Sequence, residues 1–268
     1  MVDFVEIYHF SCYNLNRGML MKTIEFKKYN LTINLTPFIN IVGSHSSGKT
    51  KFLKTLINQL NNDDILIDDK PINSFEIEFL RKNISAVLKT NEFKTEYVKD
   101  ELLFYQKIIN TADKVANKNV EKFVKFFNLE DIIESKIKNL TTYEKAYIKI
   151  LSLLIISPSI LGIDDMLTYL SYDQKFKIIK YAKENNICIL NVTSNAEELL
   201  FGTDIVIMDN NKVIAYDKTE KILSNDKYLS NIGMNEPFIV ELSTNLNYYD
   251  LLKKKYFDMG TLVGELWK

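Results

Sequence analysis

The chain has 268 residues, 46% of them hydrophobic, which suffices for one large packed domain with or without an appendage and excludes a disordered tail. Lys plus Arg number 34 and Asp plus Glu 35, so no global field draws the protein onto nucleic acid or anionic lipid. The two cysteines, Cys12 and Cys188, have neither metal-type spacing nor the density of a disulfide framework, which suits a reducing compartment.

Taken in chain order, Met1 to Phe10 alternate apolar and polar positions and carry acids where a signal peptide carries bases, which predicts a strand. Ile24, Phe26, Leu31, Ile33 and Leu35 recur with period two, and Phe38 to Val42 form a short apolar run ending at Gly43. Leu53, Leu56, Ile57 and Leu60 then fall at the spacing of an amphipathic helix. Ile84 to Leu88 reads as a second buried strand, and Tyr97 to Lys138 as several helices free of glycine and proline. A helix over Tyr143 to Ile156 precedes a strand over Ser159 to Ile163, and a helix over Asp173 to Glu184 precedes a strand over Ile187 to Val192. Asp204 to Met208 and Val213 to Tyr216 flank a hairpin turn at Asp209 to Lys212, and beyond Asp217 short helices surround Pro237. The run from Ile150 to Ile163 is broken by Ser152, Ser157 and Pro158 and is shorter than the about 20 apolar residues of a membrane span. Alternating strands and helices predict an α/β fold with a mixed or largely parallel sheet covered on both faces.

The chemistry concentrates in Gly43-Ser44-His45-Ser46-Ser47-Gly48-Lys49-Thr50. The glycines let the backbone curl so that successive N–H groups point at phosphates, and the following helix adds its positive end. Lys49 is placed to reach the β- and γ-phosphates and Thr50 to help hold Mg²⁺. Such loops act through backbone, so His45 is counted with them by position alone. A second element, an acid at the end of a neighbouring strand, is supplied by Asp164 as metal partner, with Asp165 as the candidate to orient an attacking water.

Together these residues resemble the ATP-binding-cassette (ABC) ATPases, phosphate-loop NTPases. Leu140 to Met166 aligns without a gap on that family's signature helix and Walker B region, Pro158 included. The resemblance places Tyr13 where the family stacks an aromatic ring on adenine, Lys89-Thr90-Asn91 at the Q-loop, and Val192-Thr193-Ser194-Asn195 at the switch-histidine loop. It implies an N-terminal β-subdomain, a helical signature subdomain over about 92–157 within a nucleotide-binding domain over 1–220, and a small helical appendage over 221–268. Asn231 to Ser243, Leu262 to Lys268 and Thr95 to Phe104 look like the corresponding segments of the ATP-binding subunits of energy-coupling factor importers, which serve vitamins and metal ions.

That resemblance further implies ATP and Mg²⁺ as ligands, head-to-tail pairing with a second ATPase subunit, and attachment to the cytoplasmic face of the cell membrane through a membrane-embedded partner. In this family the partner's coupling helices are received between the Q-loop and the signature, where Phe93, Tyr97, Leu102, Phe104 and Tyr105 offer apolar side chains. No nucleic-acid partner is implied.

The departures from the family pattern bear on hydrolysis. Leu140-Thr141-Thr142-Tyr143-Glu144 replaces a glycine-rich signature, with bulk at Tyr143 and a negative charge at Glu144 where the partner's ATP is expected. Asp165 replaces the expected catalytic Glu, Ser194 the switch histidine, Lys89 the Q-loop glutamine and Ser171 the D-loop aspartate. Three readings follow: a transport ATPase with weak or partner-supplied hydrolysis, a nucleotide-binding pseudo-ATPase scaffold beside an intact sister, and a phosphate-loop protein outside transport.

Overall fold

Two antiparallel strands, β1 (Thr23–Phe26) and β2 (Leu31–Asn34), open the computed structural model, which describes residues 21–57 and 64–267; the strand expected over Met1 to Phe10 and the expected adenine contact Tyr13 lie outside them. Asn30 turns the chain between the two with φ 47°, a left-handed conformation that Asn tolerates better than most residues. Ile24, Phe26, Leu31 and Ile33 all face inward, as the period of two requires. β3 (Phe38–Gly43) then leads into the glycine loop and α1 (Lys49–Ile57).

The next hairpin, β4 (Ile65–Ile67) and β5 (Lys70–Pro71), followed by α2 (Ile77–Asn83), has no counterpart in the sequence pattern. Its strands are too short to show a period, and its turn is made by Asp68 and Asp69 at φ 47° and 65° instead of by Asn-Gly.

β6 (Ile84–Val87) follows, then a helical layer of α3 (Val98–Ile108), α4 (Asp113–Phe127) and α5 (Thr142–Leu154). The end of the stretch expected to be helical, 128–138, consists of turns and a short 3₁₀ segment, because Asn128 at φ 56° closes α4 with a left-handed cap. β7 (Ile160–Asp164), α6 (Tyr172–Glu184), β8 (Cys188–Val192), β9 (Asp204–Asp209) and β10 (Lys212–Lys218) complete the sheet. The chain then runs through α7 (Thr219–Leu223), α8 (Asp226–Asn231), α9 (Phe238–Tyr248) and α10 (Met259–Leu266). Pro237 stands at the N-cap of α9, where its fixed φ suits entry into a helix.

The six-stranded sheet has the order β10-β9-β3-β8-β7-β6, parallel throughout except for the β9–β10 hairpin. A second, antiparallel sheet has the order β2-β1-β4-β5. α1 is wedged between the sheets: Phe52, Leu53 and Leu56 are fully buried against Phe26 and Ile33 on one side and Ile41 and Leu190 on the other. The opposite face of the large sheet is covered by the helical layer and α6. The C-terminal helices share a core with Val42, Ile205 and Ile207 of β3 and β9, so they lie against the strand that precedes the glycine loop. Cys188 is buried in β8, and that burial pushes its thiol pKa far up, leaving a neutral, inert side chain.

Candidate nucleotide site

Parallel pairing brings the C-terminal ends of β3, β8, β7 and β6 to one edge of the sheet, and each end carries one part of the site. From β3 comes the glycine loop. Ser46 at φ 63° and Gly48 at φ 98° bend its backbone in the left-handed region. The Lys49 ammonium folds back over the loop, donating to the carbonyls of Gly43 (2.8 Å) and Ser44 (2.9 Å) and to Ser47 Oγ (3.2 Å). Partial burial pulls the Lys49 pKa below the ordinary lysine value, while the charges of Asp165 and Asp164 push it back up. His45 is exposed on the outer rim.

The hairpin joining β9 to β10 buttresses the loop from the side. Ser44 Oγ donates to Asp209 Oδ1 at 2.8 Å, and the Asn211 backbone N–H donates to the Ser47 carbonyl at 3.0 Å. Asp209 and Asn211 were missing from the sequence-based site because only the β3–β9 pairing, which sets Gly43 beside Met208, reveals them. The same pairing explains Gly43: a Cβ there would stand 2.1 Å from the Met208 carbonyl oxygen. Gly43→Ala is therefore expected to cost about 1–3 kcal/mol, read from the urea midpoint, and to weaken nucleotide binding.

From β7 come Asp164 and Asp165. Thr50 Oγ1 donates to Asp164 Oδ1 at 3.0 Å, joining the first turn of α1 to the buried end of β7. A hydroxyl and a carboxylate side by side are the hard oxygen ligands that Mg²⁺ takes, with phosphate oxygens and water completing an octahedron. Among the described residues no cluster of three or more His, Cys, Asp or Glu offers a rival metal site.

Asp165 itself sits at φ 52°, its N–H held by the Val192 carbonyl at 2.8 Å. Its carboxylate is engaged from two sides. Lys89, following β6, gives its ammonium to Oδ2 at 2.7 Å, while the Ser194 backbone N–H (3.2 Å) and hydroxyl (3.1 Å), following β8, donate to Oδ1. The contact with Asp165 raises the Lys89 pKa, so the lysine stays charged throughout the neutral range. The structure thus brings Lys89, Asp165 and Ser194 together with Lys49, Thr50 and Asp164.

The signature-like segment is tied back onto its own helix. Thr141 and Glu144 form a capping box: the Glu144 carboxylate accepts from the Thr141 N–H and Oγ, both at 2.8 Å, and Thr141 Oγ accepts from the Glu144 N–H at 3.2 Å. Those bonds hold the Glu144 pKa below the usual carboxylate value. Glu144 is thus turned back onto its own helix, and Tyr143 projects at 65% exposure. Ser171 caps α6 in the same manner with Gln174. Of the five apolar residues expected to form a dock, Leu102 is fully buried in the core, and Phe93 lines a surface groove of about 470 Å³ beside Lys89.

Residues 26–168 match the model of the ABC transporter family. The chain belongs to the ABC transporter family. Similar proteins include the energy-coupling factor transporter ATP-binding protein of Onion yellows phytoplasma, 24% identical over 85% of this chain and 84% of that protein. Another is the corresponding protein of Mesomycoplasma hyopneumoniae strain 7448, 23% identical over 92% of this chain and 93% of that one. Among solved structures, cbiO1 from Clostridium perfringens, part of the ABC transporter complex cbiONQ, superposes with a TM-score of 0.66, covering 80% of this chain and 95% of that one at 17% identity. That superposition covers a larger share of the chain than the segment that matches the family model. No helix among the described residues is long and apolar enough to cross a membrane.

Proposed function

We propose that the protein is the ATP-binding subunit of an energy-coupling factor type importer of a vitamin or metal ion, paired head to tail with a second ATPase subunit. It would sit at the cytoplasmic face of the cell membrane through a membrane-embedded partner. The glycine loop with Lys49 and the Thr50–Asp164 pair carry this reading, together with the similarity to energy-coupling factor relatives over most of the chain. The loop N–H groups and the N-terminus of α1 bind the phosphates, and Lys49 exchanges its carbonyl contacts for phosphate oxygens. Thr50 Oγ1 and Asp164 would hold Mg²⁺, which would supply charge to neutralise the β- and γ-phosphates.

In hydrolysis a water oxygen attacks the γ-phosphorus, the bond from that phosphorus to the ADP oxygen breaks, and a base near the water receives its proton. We assign that task to Asp165, and in this chain its carboxylate is already bound to Lys89 and Ser194. The self-capped start of α5 also leaves few free N–H donors for a partner's γ-phosphate. We therefore assign the chain strong binding and weak hydrolysis of its own. The second reading, a scaffold beside an intact sister ATPase, draws on the same ion pair.

The experiment is MgATP binding to the purified chain by fluorescent-analogue titration. Lys49→Ala should weaken binding about tenfold to a hundredfold, the worth of one charge-assisted hydrogen-bonding group. Equal binding by parent and variant would overturn the assignment. If the parent alone turns over ATP and Lys49→Ala abolishes turnover, the scaffold reading fails.

A further inference from the structure

Ser194, which occupies one oxygen of Asp165, stands just before a short 3₁₀ segment, Ala196–Phe201, whose successive residues face three different neighbours. Glu197 sends its carboxylate to the N-terminus of α9, where Oε1 accepts the Phe238 N–H at 2.7 Å. Glu198 is wholly buried and bound to Lys175 and Asn191. Leu199 is fully buried in the core of the C-terminal helices, together with Ile239 and Val240 of α9. The first turn of α9 is therefore joined to this segment by a charged hydrogen bond as well as by apolar packing.

The contact has a local reason at each end. Pro237 stands at the N-cap of α9 and makes no side-chain capping bond. Its carbonyl receives the N–H groups of Val240 and Glu241, whereas the Phe238 N–H is one of the four at any helix start that find no acceptor within the helix. Glu197 supplies that acceptor from 41 residues upstream, with the charge that a helix N-terminus favours. At the other end, Asn195 Oδ1 accepts the Glu197 N–H at 3.0 Å and Thr193 Oγ1 accepts the Asn195 N–H at 3.0 Å. The backbone from Thr193 to Glu197 is thus braced at two points around Ser194.

We propose that Glu197 is a positioning residue: by capping α9 it holds the Ser194 segment in place, and through the two donors of Ser194 it restrains the Asp165 carboxylate. The C-terminal helices thereby act on the nucleotide site without touching it. A side-chain cap shifts an equilibrium about fivefold. Its loss loosens Ser194 by about that factor and opens Asp165 Oδ1 to a water. The tether rests on the geometry alone; only its effect on turnover rests on the ATPase reading above, and a measurement without nucleotide separates the two.

Phe238→Pro deletes the donor, since proline is accommodated at the first position of a helix and the ψ of Pro237, 143°, suits a residue that precedes proline. Phe238→Ala keeps the N–H, removes the same ring, which is 59% exposed, and serves as the reference. Amide hydrogen exchange of the purified full chain without nucleotide, read over residues 193–199, should be about fivefold faster in Phe238→Pro than in Phe238→Ala. Glu197→Ala cuts the same bond from the other side, so the comparison stands even if the proline variant folds poorly. Glu197→Gln keeps an acceptor oxygen and should bring exchange most of the way back to the parent rate. Equal exchange in either pair of folded variants, proline against alanine at 238 or alanine against glutamine at 197, overturns the tether.

At saturating MgATP, phosphate release by Phe238→Pro and Glu197→Ala should exceed that of Phe238→Ala by about twofold to fivefold. ATP affinity should stay the same, a split between rate and binding that a general loss of stability does not produce. Equal turnover, or no turnover in any variant although each binds MgATP, overturns the restraint on Asp165. If the parent itself fails to bind MgATP, the ATPase reading fails, and the exchange comparison still decides the tether.

Discussion

Lys89→Gln, Asp165→Glu and Ser194→His, combined, are expected to raise ATP turnover of the purified chain about 100-fold over the parent, the size of effect that a 1 Å correction of a reacting group produces. Three of the roughly four acceptor directions of the Asp165 carboxylate are taken by Lys89 and by the two donors of Ser194. A water placed against it must displace one of them. Removing the lysine alone frees one oxygen from an exposed pair and should give at most about fivefold. Restoring the longer carboxylate moves the base by about one C–C bond toward the γ-phosphate and should give most of the gain. Histidine at 194 adds a side chain that reaches where the serine hydroxyl cannot and removes the O–H that now holds Asp165 in place. Phosphate release at saturating MgATP measures the series, with ATP binding of every variant determined in parallel. A combined variant that binds ATP as the parent does and turns over no faster would show that these three side chains do not limit hydrolysis.

The sequence announced the parts of this site that are made from contiguous residues. Gly43 to Thr50 and the end of β7 are local motifs whose backbone geometry follows from glycine placement and from an apolar strand running into a helix, and the structure has both where the pattern put them. The Lys89–Asp165–Ser194 contacts were not legible as contacts, since they join the ends of β6, β7 and β8, and strand order is set by nonlocal pairing. The role of Asp209 and Asn211 was hidden for the same reason. Glu144 shows a different failure. Read as a charge on a surface, it opposes a phosphate; read with Thr141 three residues earlier, it is the far half of a capping box, a pattern present in the letters and masked by the expected signature. The short hairpin of β4 and β5 escaped because three apolar residues carry no period.

Lys175→Met is expected to destabilise the protein by about 3–5 kcal/mol, the usual result of removing one partner of a buried ion pair. Lys175 on α6 gives its ammonium to Glu198 Oε1 at 2.9 Å, with the Glu198 side chain wholly inaccessible and that of Lys175 10% exposed. Glu198 Oε2 accepts from Asn191 Nδ2 at 3.1 Å, and Asn40 Nδ2 on β3 donates to the Glu198 carbonyl at 3.1 Å. This network ties α6, β8 and β3 to the segment just after Ser194, so its charges are anchored in the strands that carry the site. Methionine keeps the length and packing of the lysine stem, and the loss is then that of the charge alone. For a chain of this size the thermal midpoint should fall on the order of 10 °C.

A further variant separates an unpaired charge from simple mispacking. Lys175→Met/Glu198→Gln should recover most of the loss at neutral pH, since replacing both ions leaves no buried charge. Among the described residues Asn191 Oδ1 is the buried side-chain oxygen or nitrogen without a hydrogen-bond partner. A loss that is unchanged in the double variant would mean that Lys175 acts through its methylenes, and that the Ser194 segment is anchored by packing instead of by charge.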